Sequence, residues 1–110
     1  MGDISRVEQA PADILISSVE RTYASNLEIL KRKNSDYASP ENPFLTFEAS
    51  ARMAGVTVEQ GLLVRISDKL TRVRNLLTRT SVVDERLEDT IADAINYLAI
   101  LKAWRERRQL

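Results

Sequence analysis

Charged side chains that could bind a phosphate recur at helical spacing along residues 62–78. Arg65, Asp68 and Arg72 are three and four residues apart, so in a helix they share one face. Lys69 lies at the edge of the neighbouring apolar stripe. One interpretation is that these side chains form surface ion pairs, each contributing roughly 0.2–0.5 kcal/mol. The other is that Asp68 orients the two guanidinium groups towards a phosphate.

The next helical segment carries acidic side chains on one face. Glu85, Asp89 and Asp93 follow one another at four-residue intervals, and Asn96 lies close to them. Carboxylates at this spacing repel each other by roughly a few tenths of a kcal/mol per pair, so Mg²⁺, Mn²⁺ or an arginine cluster would stabilise them. Small and apolar residues on the same side indicate a helix that is buried on two sides. The stripe predicts either a carboxylate cluster facing a groove or second subunit, or a solvated acidic face.

The composition limits the chemistry that is open to this chain. Its 110 residues include no His and no Cys, which excludes a thiol nucleophile, a zinc finger, an iron–sulfur cluster and a Ser-His-Asp triad. A metal would have to be a hard ion held by oxygen atoms. Because 16 Lys+Arg balance 16 Asp+Glu, the basic surplus of duplex-binding proteins is missing, and nucleic acid is not an expected partner.

Helical periodicity and scarce Gly and Pro predict an all-α fold, an antiparallel bundle of about four helices without strands. Residues 1–10 are expected to form a loose leader and residues 11–110 a single helical domain. No apolar run is long enough to span a membrane, and the N-terminus has no signal-peptide pattern. We therefore expect a cytoplasmic location and no membrane association.

The first predicted helix runs from about Pro11 to Lys33 and is followed by a polar loop over residues 34–41. Its apolar stripe consists of Leu15, Val19, Tyr23, Leu27 and Leu30. Asn42 is expected to cap a short second helix, which ends at Gly55. The apolar residues assigned to that helix are Phe44, Phe47, Ala51 and Met53.

Thr57 and Gln60 have the spacing of a capping box, which predicts a third helix that extends to about Thr78. Asp84 is expected to cap a fourth helix that continues to about Arg108. The core stripes comprise Leu62, Ile66, Leu70, Val73 and Leu77 on the third helix, and Leu87, Ile91, Ala94, Leu98 and Leu101 on the fourth. The two-sided fourth helix predicts a homo-oligomer that associates through the long C-terminal helices.

Several short motifs occur in an order that resembles a known family. They are Lys33 with Asp36-Tyr37, Asn42-Pro43-Phe44, Arg65-Ile66-x-Asp68-Lys69-x-x-Arg72, and Asp84-Glu85-x-x-x-Asp89-Thr90-x-x-Asp93-x-x-Asn96-Tyr97. Over residues 30–101 the chain resembles the phage-associated "nucleotide modification associated domain, type one" family. The resemblance implies a nucleotide-related function in the cytoplasm of a bacterium, with a phage or prophage encoding the protein. With the cation cluster, it predicts these ligand-binding residues: Lys33, Asp36, Tyr37, Arg65, Asp68, Lys69, Arg72, Asn96 and Tyr97.

A more distant likeness is to the all-α nucleoside triphosphate pyrophosphatases, the MazG and dimeric dUTPase group. That resemblance implies a Mg²⁺ held by Glu-x-x-Glu on one helix and Glu-x-x-Asp on another. The fourth helix offers a comparable set, namely Glu85, Glu88, Asp89 and Asp93. The third helix departs from the pattern, because Asp68 is its one acid among Arg65, Lys69 and Arg72.

Two functions of different classes follow from these patterns. The first is a nucleotide-binding protein whose basic and acidic cleft holds the phosphates of a nucleotide or signalling nucleotide. It would sequester that ligand, as a phage counter-defence sponge does, or act as an accessory factor. The alternative is a nucleoside triphosphate pyrophosphohydrolase in which Glu85, Asp89 and Asp93 bind Mg²⁺ or Mn²⁺. A purely structural bundle is the third option.

Overall fold

The computed structural model describes residues 10–37, 41–78 and 86–107. These residues form four helices, which are α1 (Pro11–Tyr37), α2 (Leu45–Ala54), α3 (Val58–Thr78) and α4 (Leu87–Glu106), and they include no strand. The predicted all-α class is confirmed. None of the four helices is both long and apolar enough to cross a membrane. Residues 1–9 of the predicted leader lie outside the described residues.

The first helix ends later than the sequence predicts, because residues 34–37, which were assigned to a loop, belong to α1. The Ser35 hydroxyl donates a hydrogen bond to the carbonyl oxygen of Arg32 within the same helix, at 2.7 Å. The polarity of the segment therefore misplaces the predicted helix end.

The turn before α2 corrects the predicted role of Asn42. The helix begins at Leu45, and Phe44 occupies the N-cap position. Asn42 organises the preceding turn instead: its Oδ1 accepts from the Phe44 N–H at 3.1 Å and its carbonyl oxygen from the Leu45 N–H at 3.3 Å. Its Nδ2 donates to Glu48 Oε1 at 2.8 Å. Asn42 thus stabilises the start of α2 from outside the helix, with Pro43 in the turn between them.

The connection between α2 and α3 follows its local sequence signals. Gly55 ends α2 with a φ of 72°, and the N–H of Val56 donates to the carbonyl oxygen of Ala51 at 3.0 Å. The predicted capping box is also present. The Thr57 N–H donates to Gln60 Oε1 at 2.9 Å, and the Gln60 N–H donates to Thr57 Oγ1 at 3.1 Å. Both predictions are confirmed.

Helices α3 and α4 run antiparallel, as two cross-helix ion pairs show. Near one end of the pair, Arg105 Nη1 lies 3.1 Å from Glu59 Oε2, and further along Lys69 Nζ lies 3.0 Å from Asp93 Oδ2. Helix α4 begins at Leu87 and ends at Glu106. Arg86 occupies the N-cap position of α4, so the prediction that Asp84 caps this helix is wrong by two residues. The predicted end, Arg108, lies outside the described residues.

The core is small and is supplied by α2, α3 and α4. Its buried apolar residues are Ala51, Leu62, Ile66, Ala94 and Trp104. The Trp104 ring meets the Phe44 ring edge to face, with 5.3 Å between centroids. Helix α2 packs against α3, α3 against α4, and α1 against α4. The turn before α2 is thereby held against the C-terminal end of α4.

The predicted apolar stripes are covered along only part of their length. On α1, Leu15 and Tyr23 are 61% and 64% exposed. On α3, Leu62 is buried whereas Leu77 is 66% exposed. Met53, which was assigned to the apolar side of α2, is 90% exposed. Leu27, Leu70, Ile91 and Leu98 are also exposed, so the core assignment is wrong at these positions.

The N-terminal half of α1, residues 11–24, is called the arm below. The hydrogen bonds and the ion pair that join α1 to α4 involve Asn26 and Lys33, which both follow the arm. Leu15 and Tyr23 are exposed because the arm extends beyond the part of α1 that is joined to α4.

Candidate ligand-binding cleft

A cleft of about 590 Å³ lies where the C-terminal half of α1 meets the other three helices. This volume is within the range of small-molecule sites, roughly 300–1,000 Å³. Its polar and aromatic lining comprises Lys33 and Asn34 of α1, Phe44, Thr46 and Phe47 around α2, Arg65 of α3, and Asp93, Asn96 and Tyr97 of α4. The remaining lining is apolar. The cleft thus combines charged groups, an amide and aromatic rings.

Arg65 and Lys69, which are one turn apart on α3, lie opposite Tyr97 and Asp93, which are one turn apart on α4. The guanidinium carbon of Arg65 is 5.9 Å from the centroid of the Tyr97 ring and 5.4 Å from that of Phe47. These contacts are cation–π interactions, which hold the charged plane close to both aromatic rings. One turn further along, Lys69 reaches Asp93. The antiparallel packing of the two helices therefore places cationic and aromatic side chains next to one another at the cleft.

Asp93 forms ion pairs with lysine side chains of two other helices. Lys33 Nζ of α1 is 3.3 Å from Oδ1, and Lys69 Nζ of α3 is 3.0 Å from Oδ2. Burial of the carboxyl group by itself raises the pKa of Asp93, but the hydrogen bond from Lys69 and the positive charges of both lysines outweigh that effect. The pKa of Asp93 therefore lies below its ordinary value. Asp93 fixes Lys33 at the rim of the cleft.

A pair of asparagines joins α1 to α4 below the cleft. Asn26 is buried, and its Nδ2 donates to the carbonyl oxygen of Ala92 at 3.2 Å. In return, Asn96 Nδ2 donates to the carbonyl oxygen of Asn26, also at 3.2 Å. Sequence reasoning missed Asn26, although a polar residue within the apolar stripe of a helix is the signal that could have found it.

The structure brings most of the predicted ligand-binding residues together. Lys33, Arg65, Asn96 and Tyr97 line the cleft, and Lys69 supports it through Asp93. Asp68 and Arg72 belong elsewhere. Their side chains are exposed, form an ion pair of 3.7 Å along α3, and are not part of the cleft lining. The surface-ion-pair interpretation therefore applies to Asp68 and Arg72. The predictions for Asp36 and Tyr37 concern side chains outside the described part of the structure.

The predicted metal ligands are only partly within the described residues. Glu85 lies outside them, Asp89 is exposed, and Asp93 accepts from two lysines. Within residues 10–37, 41–78 and 86–107, no three acidic side chains come together where they could hold an ion. The metal site at Glu85, Asp89 and Asp93 stays a prediction.

Two aromatic residues of the cleft were not predicted as site residues. Phe44 and Phe47 were assigned to the apolar side of the second helix, yet both line the cleft. Phe44 lies in the turn that Asn42 stabilises, and Phe47 follows one turn later and contacts Arg65. Their spacing of three residues directly after Pro43 is the sequence signal, but it is equally typical of core residues.

Comparison of the chain with models of known protein families, with curated proteins and with solved structures gives no match.

Proposed function

We propose that this protein binds a nucleotide in the cleft. The observation that carries the proposal is the position of Arg65 beside the Phe47 and Tyr97 rings in the same cavity as Lys33. Aromatic rings and a guanidinium plane offer stacking surfaces for a base. An ammonium group at the rim offers a partner for a phosphate. Asn96 adds an amide, which suits the polar edge of a base.

The charges around the cleft favour an anionic ligand of modest charge. Lys33, Lys69 and Arg65 bring three positive charges to the cleft and its surroundings, and Asp93 brings one negative charge. The net charge of these four side chains is therefore positive. The excess of positive charge matches a nucleoside monophosphate or the phosphodiesters of a signalling dinucleotide. A triphosphate carries more negative charge than these side chains balance. This argument supports binding in preference to the pyrophosphohydrolase.

The motifs that resemble the phage-associated family support a role in the cytoplasm of an infected bacterium, where the protein would sequester a nucleotide or act as an accessory factor. The apolar surface of α4 and α1 supports a homo-oligomer as the working form.

Calorimetry with a nucleotide panel tests the proposal. The panel contains nucleoside monophosphates, triphosphates with and without Mg²⁺, and cyclic dinucleotides. Fluorescence gives a second readout, because Trp104 is the chain's single tryptophan and touches Phe44 at the cleft. We expect saturable, metal-independent binding of a monophosphate or cyclic dinucleotide that changes the Trp104 emission. Absence of binding by every member of the panel would contradict the proposal.

Two matched pairs of variants locate the binding. Arg65→Gln is compared with Arg72→Gln on the same helix, and Lys33→Gln with Lys31→Gln, whose side chain pairs with Glu28 at 3.6 Å. We expect the two cleft variants to weaken binding at least about tenfold, which corresponds to the loss of one charge-assisted contact. The two controls should change it less than about twofold. Equal effects within each pair would place the ligand elsewhere.

The same samples distinguish binding from hydrolysis. Incubation with triphosphates and Mg²⁺ or Mn²⁺, followed by separation of the products, should leave the nucleotides intact. Release of pyrophosphate that disappears in Asp89→Asn would instead support the pyrophosphohydrolase, since Asp89 is outside the cleft lining and would act through a metal.

A further inference from the structure

Three cationic side chains are half-buried in the part of the chain that the structure describes, namely Arg65, Lys69 and Arg107. Two of them interact with an oxygen atom of the protein. Lys69 Nζ lies 3.0 Å from Asp93 Oδ2, and Arg107 Nη1 donates to the carbonyl oxygen of Trp104 at 2.6 Å. Among the same residues, the guanidinium group of Arg65 interacts with two aromatic rings. Arg65 therefore differs from the other two, because its N–H groups have no oxygen acceptor in the described residues.

The N–H groups of Arg65 are open to a ligand. A guanidinium group has five N–H donors, which are arranged in a planar fork. No side-chain nitrogen or oxygen atom of the described residues is both buried and without a hydrogen-bond partner. The unbonded nitrogen atoms of Arg65 are therefore accessible to solvent. Because Arg65 lines the cleft, a ligand that occupies the cleft can reach them.

The charge of Arg65 has no counter-ion among the described residues. The cation–π contacts attract the guanidinium group but leave its positive charge in place. The carboxylate of Asp93 also lines the cleft, but it is paired with Lys33 and Lys69. A charge that is partly removed from water is costly without a partner of opposite sign, and an anion in the cleft would supply that partner.

We infer that Arg65 is an oxyanion-binding residue whose N–H groups bind the phosphoryl group of the ligand. The planar fork of arginine matches two oxygen atoms of a phosphate at once. A guanidinium group can stack with its face while its edge donates these bonds, so Arg65 serves both the base and the phosphate. This assignment rests on the proposed function for the nucleotide that carries the phosphate, whereas the oxyanion site itself can be tested with inorganic phosphate.

Titration of the full chain with inorganic phosphate, followed by NMR of the arginine Nε–H groups, tests the oxyanion site directly. We expect the Arg65 signal to shift and to saturate. Arg107 is the internal control, because it is also half-buried but donates to the Trp104 carbonyl oxygen, and its signal should stay in place. Sodium chloride at equal ionic strength separates binding from screening.

A parallel titration with acetate separates a phosphoryl group from a carboxyl group as the preferred anion. We expect a smaller shift of the Arg65 signal with acetate than with phosphate at equal concentration. An Arg65 signal that does not saturate with phosphate would overturn the oxyanion site. A response to acetate that equals or exceeds the response to phosphate would overturn the assignment to a phosphoryl group. Both titrations use the wild-type chain, so neither depends on how a variant folds.

The affinity ratio between a nucleoside monophosphate and its nucleoside, measured by calorimetry, separates phosphate binding from stacking at Arg65. Arg65→Gln should reduce this ratio at least about tenfold, which corresponds to the loss of one charge-assisted contact. Arg72→Gln on the same helix should change it less than about twofold, because Arg72 is outside the cleft lining and pairs with Asp68. If Arg65→Gln weakens both ligands by the same factor, Arg65 is a stacking surface only, and the assignment is overturned.

Failure of the nucleotide proposal has a different result. If no nucleotide binds but phosphate still saturates the Arg65 signal, the nucleotide proposal is wrong and the oxyanion site at Arg65 is supported.

Discussion

The two halves of α1 have similar apolar patterns but different surroundings. From Asn26 onwards the helix is joined to α4 and contributes Lys33 to the cleft. Before Asn26, the arm carries Leu15 and Tyr23 at the same helical spacing, and both are more than half exposed. Periodicity therefore identifies which face of a helix is apolar, whereas the length and position of the other helices decide whether that face is covered.

The largest expected effect contrasts Leu62, in the core, with Leu15, in the arm. Leu62 is 1% exposed, so Leu62→Ala should destabilise the chain by about 2–5 kcal/mol through lost burial and a cavity. Leu15→Ala should cost less than about 1 kcal/mol in dilute protein, where the arm is solvated. Urea unfolding measures both. Equal costs in dilute protein would mean that the arm is packed within one chain.

The second-largest loss of stability is expected from removing the hydrogen bonds between Asn26 and α4. Asn26→Ala removes a buried donor to the Ala92 carbonyl oxygen and should destabilise the chain by about 1–3 kcal/mol. Asn34→Ala is the control, because Asn34 is an exposed asparagine of the same helix. It should change the free energy of unfolding by less than about 0.5 kcal/mol. If the two variants have the same effect, the asparagine pair does not hold α1 to α4.

A smaller loss of stability is expected from removing the capping box at Thr57, and Thr22 in the arm provides the control. Thr57→Ala removes the hydroxyl that accepts from the Gln60 N–H and should cost about 1 kcal/mol. In the arm, the Thr22 hydroxyl donates to the Ser18 carbonyl oxygen of its own helix at 3.0 Å. Thr22→Ala should be neutral or slightly stabilising, since alanine is the better helix former. A loss of stability in Thr22→Ala would indicate that the arm has a packed partner.

The smallest effect is the acid sensitivity that Asp93 contributes. Folding lowers the pKa of Asp93, so the unfolded chain binds a proton at a higher pH than the folded chain. The stabilisation is complete above the unfolded pKa of about 3.9 and is lost as the pH falls through the lower folded value. Asp93→Asn should remove about 1 kcal/mol or less of this dependence, because Lys33 is largely exposed to solvent. Denaturant unfolding of both proteins between pH 2 and pH 7 measures it. Identical pH profiles would contradict the role of the two lysines.

The features that the sequence predicted best are determined by neighbouring residues. The Thr57–Gln60 capping box and the end of α2 at Gly55 depend on groups within a few positions, and both are present. The end of α1 was misplaced because polar side chains alone do not end a helix, and residues 34–37 continue it.

The cleft was predicted only in part, for a reason that lies in helix geometry. Spacing grouped Arg65 with Asp68 and Arg72, whereas the contacts with α4 select Arg65 and Lys69, four residues apart. Which side of a helix meets its neighbour is decided by packing between segments far apart in the sequence. Phe47 and Asn26 were missed for the same reason, since each acts through a residue on another helix.

Hydrogen bonds at Asn26 and the ion pair at Lys33 join α1 to α4 at two points that are seven residues, or about 10 Å, apart along the helix axis. Two attachments fix both the position and the direction of a rigid helix, whereas one attachment would leave the helix free to turn. Leu15 lies eleven residues, or about 16 Å, before Asn26. Loss of either attachment would therefore displace Leu15 further than Lys33, because displacement grows with distance from the attachment that remains.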